Sequence, residues 1–379
     1  MPDLRQNARA LTGRCSTCPV LTGAMGLADH RPTHPFLSSG NTSVVSRRRS
    51  VRTAMTVLLL TAGLAGESGS QTVDPVRLQL KWLPQAQFAG YYAARAKGFF
   101  AAENLDVTIQ PGGPSIVPEQ VVAAGGAEFG IDWLPSLLAV RDRGIALVNF
   151  AQIFAHSGMR EIAFKSSGIR GPADLRGRKV AVWFAGNEFE LLATLEKYGI
   201  DRRRDLTLVP QPLDMKLLLD RTVDAASAMT YNEYHQVMDA GVKPEDLVVI
   251  DFNLEGTAML QDGLFAASEW LGDPRHKQVA ARFLRASLRG WAFCRQTPAE
   301  CVDVVLHASP ALGREHQRRM LAEVTKLIWG PPAPRAPLGK MDAEAFKRTA
   351  DIAFRFGVIT RPADAGAYTD EIWELARQR

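Results

Sequence analysis

Aromatic and polar side chains stand together at the predicted carboxyl ends of four strands. In chain order they are Lys81 and Trp82, Asp132 and Trp133, Trp183 with Gly186, Asn187 and Glu188, and Tyr231 with Asn232 and Glu233. Ligands of open α/β sheets collect in the crevice beyond the carboxyl ends of the strands. Flat aromatic faces with a few fixed polar groups suit a planar molecule that forms hydrogen bonds. The pattern therefore predicts a binding site for a small heteroaromatic ligand.

We expect aromatic rings to clamp this ligand and polar side chains to fix its polar edge. The predicted ligand-binding residues are Trp82, Gln85, Asp132, Trp133, Trp183, Gly186, Asn187, Glu188, Tyr231, Asn232 and Glu233. Four of these have a structural alternative, which for Gln85 is a surface or helix-start position. Trp82 alternates with Leu80 and suits a core position. Asp132 suits the N-cap of the helix that follows, and Glu188 suits the dipole at a helix start.

The sequence offers little for catalysis or metal binding. It contains no G-x-S-x-G, Walker or HExxH motif. His156 and His235 have no carboxylate or cysteine at ligand spacing. Cys15 and Cys18 form a lone CxxC, without the second pair that zinc needs or the βαβ context of a redox site. We therefore predict no catalytic residue, no cofactor and no metal site.

The charge of the chain is concentrated at its N-terminal end. Of the 45 basic and 40 acidic residues, eight and three lie in residues 1–72, which leaves 37 of each in the rest of the 379-residue chain. A body without net charge gives no indication of a nucleic-acid partner.

Residues 1–72 have the composition of a leader. A basic segment, 46–52, precedes an uncharged apolar run, 54–66, and small residues follow at Gly63, Ala65 and Ser68. This order is typical of a secretory signal peptide, and the run is shorter than the roughly 20 residues of a membrane span. We expect the signal to be cleaved and the protein to be periplasmic or secreted; the alternative is a short N-terminal membrane anchor.

The body alternates strands and helices, which predicts an α/β fold with parallel sheets and crossover helices. Predicted strands cover 76–82, 105–109, 128–131, 147–154, 179–182, 206–209, 225–229 and 247–250. After Asp262 the periodicity is mostly helical. Two α/β units with a helical tail match a two-lobed receptor with mixed, mostly parallel sheets.

We place the crossings between lobes near Phe164 and Phe265. Lobe 1 then comprises residues 73–164 and 265–379, and lobe 2 comprises 165–264. Cys294 and Cys301, which lie in the helical tail, are seven residues apart, too far for a disulfide within one unbroken helix. Pro298 lies between them and offers a turn, so the sequence leaves their pairing open.

Two segments resemble a known family. Residues 81–82 with 90–107 resemble the opening of NMT1/THI5-like binding proteins, and residues 174–182 resemble the second-lobe entry of type II periplasmic binding proteins. The resemblance implies a Venus-flytrap protein that serves an ABC permease and its ATPase, and we expect a monomer. Relatives bind riboflavin or formylated aminopyrimidines from thiamine breakdown. Residues 82–87, 183–188 and 230–234 look closest to the riboflavin-binding branch.

A eukaryotic branch of this family instead makes the thiamine pyrimidine from pyridoxal phosphate and histidine. That branch carries a lysine, a nearby histidine and a cysteine-rich iron motif. Here Asp132 stands where the lysine would lie, Ser136 stands where the histidine would lie, and residues 256–263 contain no cysteine. A Schiff base needs an amine, and iron needs thiolate or imidazole ligands. These departures argue against synthase activity. A third functional alternative is a sensor or adaptor that uses the same fold without transport.

Overall fold

The computed structural model describes residues 72–378. The predicted signal peptide and the pair Cys15 and Cys18 lie outside the described residues. Within residues 72–378 the chain forms two five-stranded sheets surrounded by helices. The expected α/β architecture with mixed sheets is confirmed.

The strands agree closely with the predicted alternation. They are β1 (Asp74–Gln79), β2 (Leu105–Gln110), β3 (Phe129–Asp132), β4 (Leu147–Gln152), β5 (Met159–Phe164), β6 (Lys179–Val182), β7 (Thr207–Pro210), β8 (Ala225–Met229), β9 (Leu247–Asp251) and β10 (Gly263–Ala267). The sheet orders are β2-β1-β3-β10-β4 and β7-β6-β8-β5-β9.

Helices connect the strands and form the C-terminal part of the chain. They are α1 (Ala89–Ala96), α2 (Pro118–Ala123), α3 (Leu134–Asp142), α4 (Phe189–Lys197), α5 (Lys216–Leu219), α6 (Glu233–Asp239), α7 (Phe252–Glu255), α8 (Pro274–Gln296), α9 (Pro298–Ala308), α10 (Arg314–Trp329), α11 (Ala343–Arg355) and α12 (Glu371–Arg377).

The two sheets have the same topology. In each, three strands pair in parallel, and the strand that enters directly from the other sheet pairs antiparallel to its two neighbours. These entering strands, β10 and β5, are absent from the predicted set of strands. Strand β5 (Met159–Phe164) is part of the second sheet and ends at Phe164, near which we expect the first crossing. The lobe bounds themselves stay a prediction.

Packing around the first sheet explains why the C-terminal helices return to it. Helix α1 lies against α8, where the rings of Tyr91 and Trp291 meet edge to face with centroids 5.7 Å apart. Phe283 of α8 stacks on Phe100 at 5.2 Å. All four side chains are buried. Burial of aromatic rings is a large apolar contribution to stability, and here it fixes the helical tail to the first sheet.

One residue, Thr297, separates α8 from α9, so the chain turns at Thr297 and Pro298. The turn brings the Cα atoms of Cys294 and Cys301 to 5.0 Å, and the two cysteines form a disulfide. The structure thus answers the pairing question that the sequence left open. Among residues 72–378, none of the helices is long and apolar enough to span a membrane.

Candidate functional site

Most of the predicted ligand-binding residues line one crevice between the carboxyl ends of the two sheets. The first-sheet wall follows β1 and β3, and the second-sheet wall follows β6 and β8. The lining residues are Lys81, Trp82, Gln85, Gln87, Trp133, Trp183, Asn187, Met229, Tyr231, Asn232 and Glu233. This is the position at which α/β sheets bind ligands.

Tryptophan rings meet across the crevice. Trp82 and Trp183 come from opposite walls and lie edge to face, with centroids 5.9 Å apart. Trp183 is fixed by its Nε1–H, which donates to the carbonyl of Pro212 at 2.9 Å. The free space between the walls is about 20 Å³, roughly the room of one water molecule. A planar ligand of vitamin size therefore enters only when the walls move apart.

A buried ion pair supports the first-sheet wall. The Lys81 ammonium pairs with the carboxylate of Asp132, and both side chains are almost fully buried. Asp132 also accepts a 2.6 Å hydrogen bond from the Trp133 amide, and Lys81 lies 5.2 Å from the centroid of the Trp133 ring. Asp132 itself lies behind the crevice, and it makes no side-chain cap on α3. Its predicted contact with a ligand stays a prediction.

Glu119 places another buried carboxyl group beside this pair. Neither of its oxygens has a hydrogen-bond partner among the described residues. Burial, together with the negative charge of Asp132, raises the pKa of Glu119 well above its ordinary value. A protonated Glu119 leaves Lys81 and Asp132 as a balanced pair of charges.

The glutamines after β1 are held by a second buried carboxylate. Gln85 donates to Gln87 at 2.8 Å, and Gln87 donates to Asp262 Oδ2 at 2.8 Å. Asp262 also accepts from the Trp133 indole N–H at 3.2 Å. Burial raises the pKa of Asp262 to about 7. Asp262 orients groups on the first-sheet wall without lining the crevice.

Asn232 and Glu233 present a polar edge on the second-sheet wall. Asn232 Nδ2 donates to Glu233 Oε1 at 2.6 Å, and the amide of Met229 donates to Glu233 Oε2 at 3.0 Å. Burial raises the pKa of Glu233 to about 7. Tyr231, directly before them, is buried against Phe154 with ring centroids 6.3 Å apart. Asn232 and Glu233 thus offer an amide donor next to a carboxyl acceptor.

Gly186 and Glu188 lie beside the crevice rather than in its lining. They border a neighbouring cavity of about 460 Å³ between the two sheets. Glu188 accepts from the Gly186 amide at 2.8 Å, and the Gly186 carbonyl accepts from Ser136 at 3.4 Å. Gly186 has a φ of +102°, and a Cβ there would lie 2.1 Å from Ser136 Oγ. Glycine is therefore required where the two walls touch. Direct ligand contacts by Gly186 and Glu188 stay predictions.

Two segments cross between the sheets, residues 153–158 and residues 252–262. Both crossing segments contact the buried carboxyl group of Glu190 on α4. Ser157 from the first crossing donates to Glu190 Oε2 at 2.8 Å, and Gln261 from the second donates to Oε1 at 3.0 Å. The Met259 amide also donates to Oε1, at 3.2 Å. Burial raises the pKa of Glu190 to about 8. Because α4 begins just after Asn187, this network connects a crevice loop to both crossing segments.

A larger cavity of about 510 Å³ lies under the proline-rich segment 331–337. Gln152 and Ile153 at the end of β4 line part of it. We place the functional site in the smaller crevice, because the aromatic and polar groups from both sheets converge there. The described residues contain no cluster of three or more His, Cys, Asp or Glu side chains arranged to hold a metal ion.

The sequence prediction missed several residues of this site. Lys81 and Gln87 lie in the segments that carry the predicted residues, but the pattern does not select them. It gives no indication of Met229 or Asp262. The alternation of β1 puts Lys81 on the polar face, which suggests exposure, whereas its side chain is buried against Asp132. A lysine next to the predicted site residue Trp82 was the available signal.

Comparisons with known proteins identify the family of the chain. The family model described as NMT1/THI5 like matches residues 85–301. The riboflavin-binding protein RibY of Chloroflexus aurantiacus is 27% identical over 79% of this chain and 86% of its own length. The formylaminopyrimidine-binding protein of Halalkalibacterium halodurans is 25% identical over 74% of this chain and 84% of its own length.

A relative from Legionella pneumophila, named as a hydroxymethylpyrimidine phosphate synthase, is 25% identical over a smaller share, 62% of this chain and 74% of its own length. Among solved structures, the aliphatic sulphonate-binding protein SsuA of Escherichia coli aligns with a TM-score of 0.57 at 17% identity. That alignment covers 77% of this chain and 90% of the other. It shows the periplasmic binding protein fold.

Proposed function

The chain belongs to the NMT1/THI5-like family, and from this premise we propose that it is the solute-binding component of an ABC importer. Its ligand is a planar N-heteroaromatic vitamin or precursor, either riboflavin or a thiamine pyrimidine such as formylaminopyrimidine. The observation that carries the proposal is the crevice in which Trp82 and Trp183 face each other beside Asn232 and Glu233.

The chemistry of the crevice supports a flat ligand with a polar edge. The indole faces supply stacking surfaces that do not depend on ligand charge. Asn232 has a remaining N–H to donate, and Glu233 has lone pairs to accept. A heterocycle with a carbonyl or ring nitrogen next to an N–H satisfies both groups at once.

Binding requires the two walls to separate and close again, because the crevice has room for about one water molecule. The ligand stabilises the closed arrangement only to the extent that it contacts both walls. Contacts with Trp82 on one wall and Trp183 on the other make the affinity of the closed arrangement for the ligand higher than that of the open one. The closed form then binds the ABC permease, which works together with its ATPase.

We further propose that the protein acts outside the cytoplasm, in the periplasm or as a secreted protein, after cleavage of the signal peptide. The disulfide between Cys294 and Cys301 supports this location, because disulfides persist in oxidising compartments. We propose that the protein is a monomer in this role.

The synthase alternative has one feature in its favour. Lys81 places an amine in the crevice, and pyridoxal phosphate chemistry begins on an amine. The Lys81 nitrogen is engaged in an ion pair with the buried Asp132, and that contact would have to break before Lys81 could react with an aldehyde. The described residues also offer no metal-binding cluster. These contacts favour a binding protein.

Isothermal titration calorimetry of residues 72–379 tests the proposal. We expect saturable one-to-one binding of riboflavin or formylaminopyrimidine, with a dissociation constant in the micromolar range or below. Pyridoxal phosphate followed by borohydride serves as the comparison. If pyridoxal phosphate is trapped on Lys81 and neither riboflavin nor formylaminopyrimidine binds, the proposed binding function is wrong and the synthase function takes its place.

A further inference from the structure

Two consecutive residues of α10 contact opposite walls of the crevice. Gln317 is buried and accepts, through Oε1, a 2.7 Å hydrogen bond from the amide of Ala86 on the first-sheet wall. His316 places Nε2 at 2.7 Å from Oδ1 of Asn232 on the second-sheet wall. Helix α10 itself packs against α9 and against residues 86–88, on the side of the first sheet. His316 thus reaches across the crevice to a residue of the opposite wall.

The hydrogen-bond pattern fixes the orientation of the Asn232 amide. Asn232 Nδ2 donates to Glu233 Oε1 at 2.6 Å, and Glu233 Oε2 is already occupied by the Met229 amide. The nitrogen of the Asn232 amide thus faces Glu233, and the oxygen faces His316. Gln236 donates to the same oxygen at 3.4 Å.

The protonation of His316 follows from this orientation. The oxygen of Asn232 accepts hydrogen bonds, so Nε2 of His316 must carry a proton. Nδ1 lies 3.6 Å from Asp239 Oδ2. Burial lowers the pKa of His316, and the Asp239 carboxylate counteracts part of that shift. His316 and Gln236 both donate to the oxygen of Asn232, so Asn232 has only its remaining N–H to offer a ligand.

We propose that His316 is a positioning residue that fixes Asn232 as a hydrogen-bond donor, so that Asn232 and Glu233 select a ligand edge with an acceptor next to an N–H. Cyclic amides, imides and aminoazines carry such an edge. The inference rests on the proposed function, because it assigns the polarity of the same site. It also assigns to a C-terminal helix a role in ligand selection.

A double-mutant cycle tests whether His316 acts through Asn232. The variants are His316→Ala, Asn232→Ala and the double variant, titrated calorimetrically with riboflavin and with formylaminopyrimidine. We expect His316→Ala to weaken binding of the bound compound by about tenfold, the value of one hydrogen bond. The double variant should bind no more weakly than Asn232→Ala alone. Effects that multiply would overturn the proposal.

Two further variants separate positioning from lobe closure. His316→Gln keeps an N–H donor and should restore most of the affinity. Arg319→Ala removes two 2.6 Å contacts with Asp239 that join the same two helices but do not touch Asn232. Its effect should be small and should multiply with that of Asn232→Ala. Loss of affinity in Arg319→Ala equal to that in His316→Ala would point to closure alone and contradict the proposal.

A measurement without ligand distinguishes this inference from the proposed function. Nitrogen-15 NMR of histidine-labelled protein should find Nε2 of His316 protonated, and Asn232→Ala should reduce the protonated share of Nε2. An unprotonated Nε2 in the wild type would overturn the positioning role. If the wild type binds neither compound, the proposed function fails and the ligand edge fails with it, whereas the NMR result still decides whether His316 orients Asn232.

Discussion

Trp82 and Trp183 lie edge to face across the crevice, with ring centroids 5.9 Å apart and ring planes inclined at 68°. One ring follows a strand of the first sheet and the other follows a strand of the second. This contact joins the two walls where a flat ligand would have to lie. Binding must therefore replace the contact between the rings with contacts between each ring and the ligand.

The first prediction concerns Trp183→Ala. The substitution removes one stacking face, so we expect ligand affinity to fall by about ten- to a hundredfold, from the loss of an aromatic contact and its buried area. The free energy of unfolding should change less than in a core variant such as Phe283→Ala. Calorimetric titration and urea unfolding measure the two effects. Unchanged affinity would remove Trp183 from the site.

The second prediction concerns the buried pair of Lys81 and Asp132. Asp132→Ala leaves an ammonium buried without its partner, so we expect a loss of about 3–5 kcal/mol in the free energy of unfolding. Asp220→Ala is the matched control, because the pair of Lys216 and Asp220 is exposed and a surface pair contributes below about 1 kcal/mol. Equal losses in the two variants would contradict the burial argument.

The third prediction is a pH dependence that arises from Glu190. Its pKa is about 8 in the folded protein against an ordinary value of 4.5. Between those values the folded state binds more protons than the unfolded chain, so stability is highest at low pH and falls as the pH rises. We expect a decrease of roughly 2–4 kcal/mol from about pH 5 to about pH 8.

Urea unfolding across this pH range measures the effect. Glu190→Gln removes the titrating group and should flatten the dependence, although Glu233 and Asp262, with pKa values of about 7, act in the same direction. A wild type and a Glu190→Gln variant with identical profiles would show that Glu190 does not titrate in this range.

The fourth prediction concerns the disulfide. Replacing Cys294 and Cys301 by serine should lower the free energy of unfolding by roughly 2–3 kcal/mol, the value expected for a short closed loop. A reducing agent should have the same effect on the wild type and none on the double variant. Free thiols at both positions in protein purified from the periplasm would contradict the pairing.

Local sequence patterns were enough to predict most of the fold but not the two entering strands. β5 follows β4 without a helix between them, β10 follows only the short α7, and both strands pair antiparallel with strands far away in the chain. The alternation of strand and helix therefore gives no signal for them.

The crevice was predicted through residue types at strand ends, whereas its supporting groups were not. Lys81 and Asp132 are 51 residues apart, and His316 and Asn232 are 84 residues apart. His316 lies in a segment rich in arginine that is typical of a solvated helix face. Only the packing of α10 against the first sheet brings it to the crevice.

The most direct test of the central claim is the intrinsic tryptophan fluorescence of residues 72–379 during titration with riboflavin and, separately, with formylaminopyrimidine. The Trp183→Phe variant is the control. We expect one compound to quench the wild type saturably at micromolar affinity or better, with a smaller change in the variant. No response to either compound at millimolar concentration would contradict a receptor for these heterocycles.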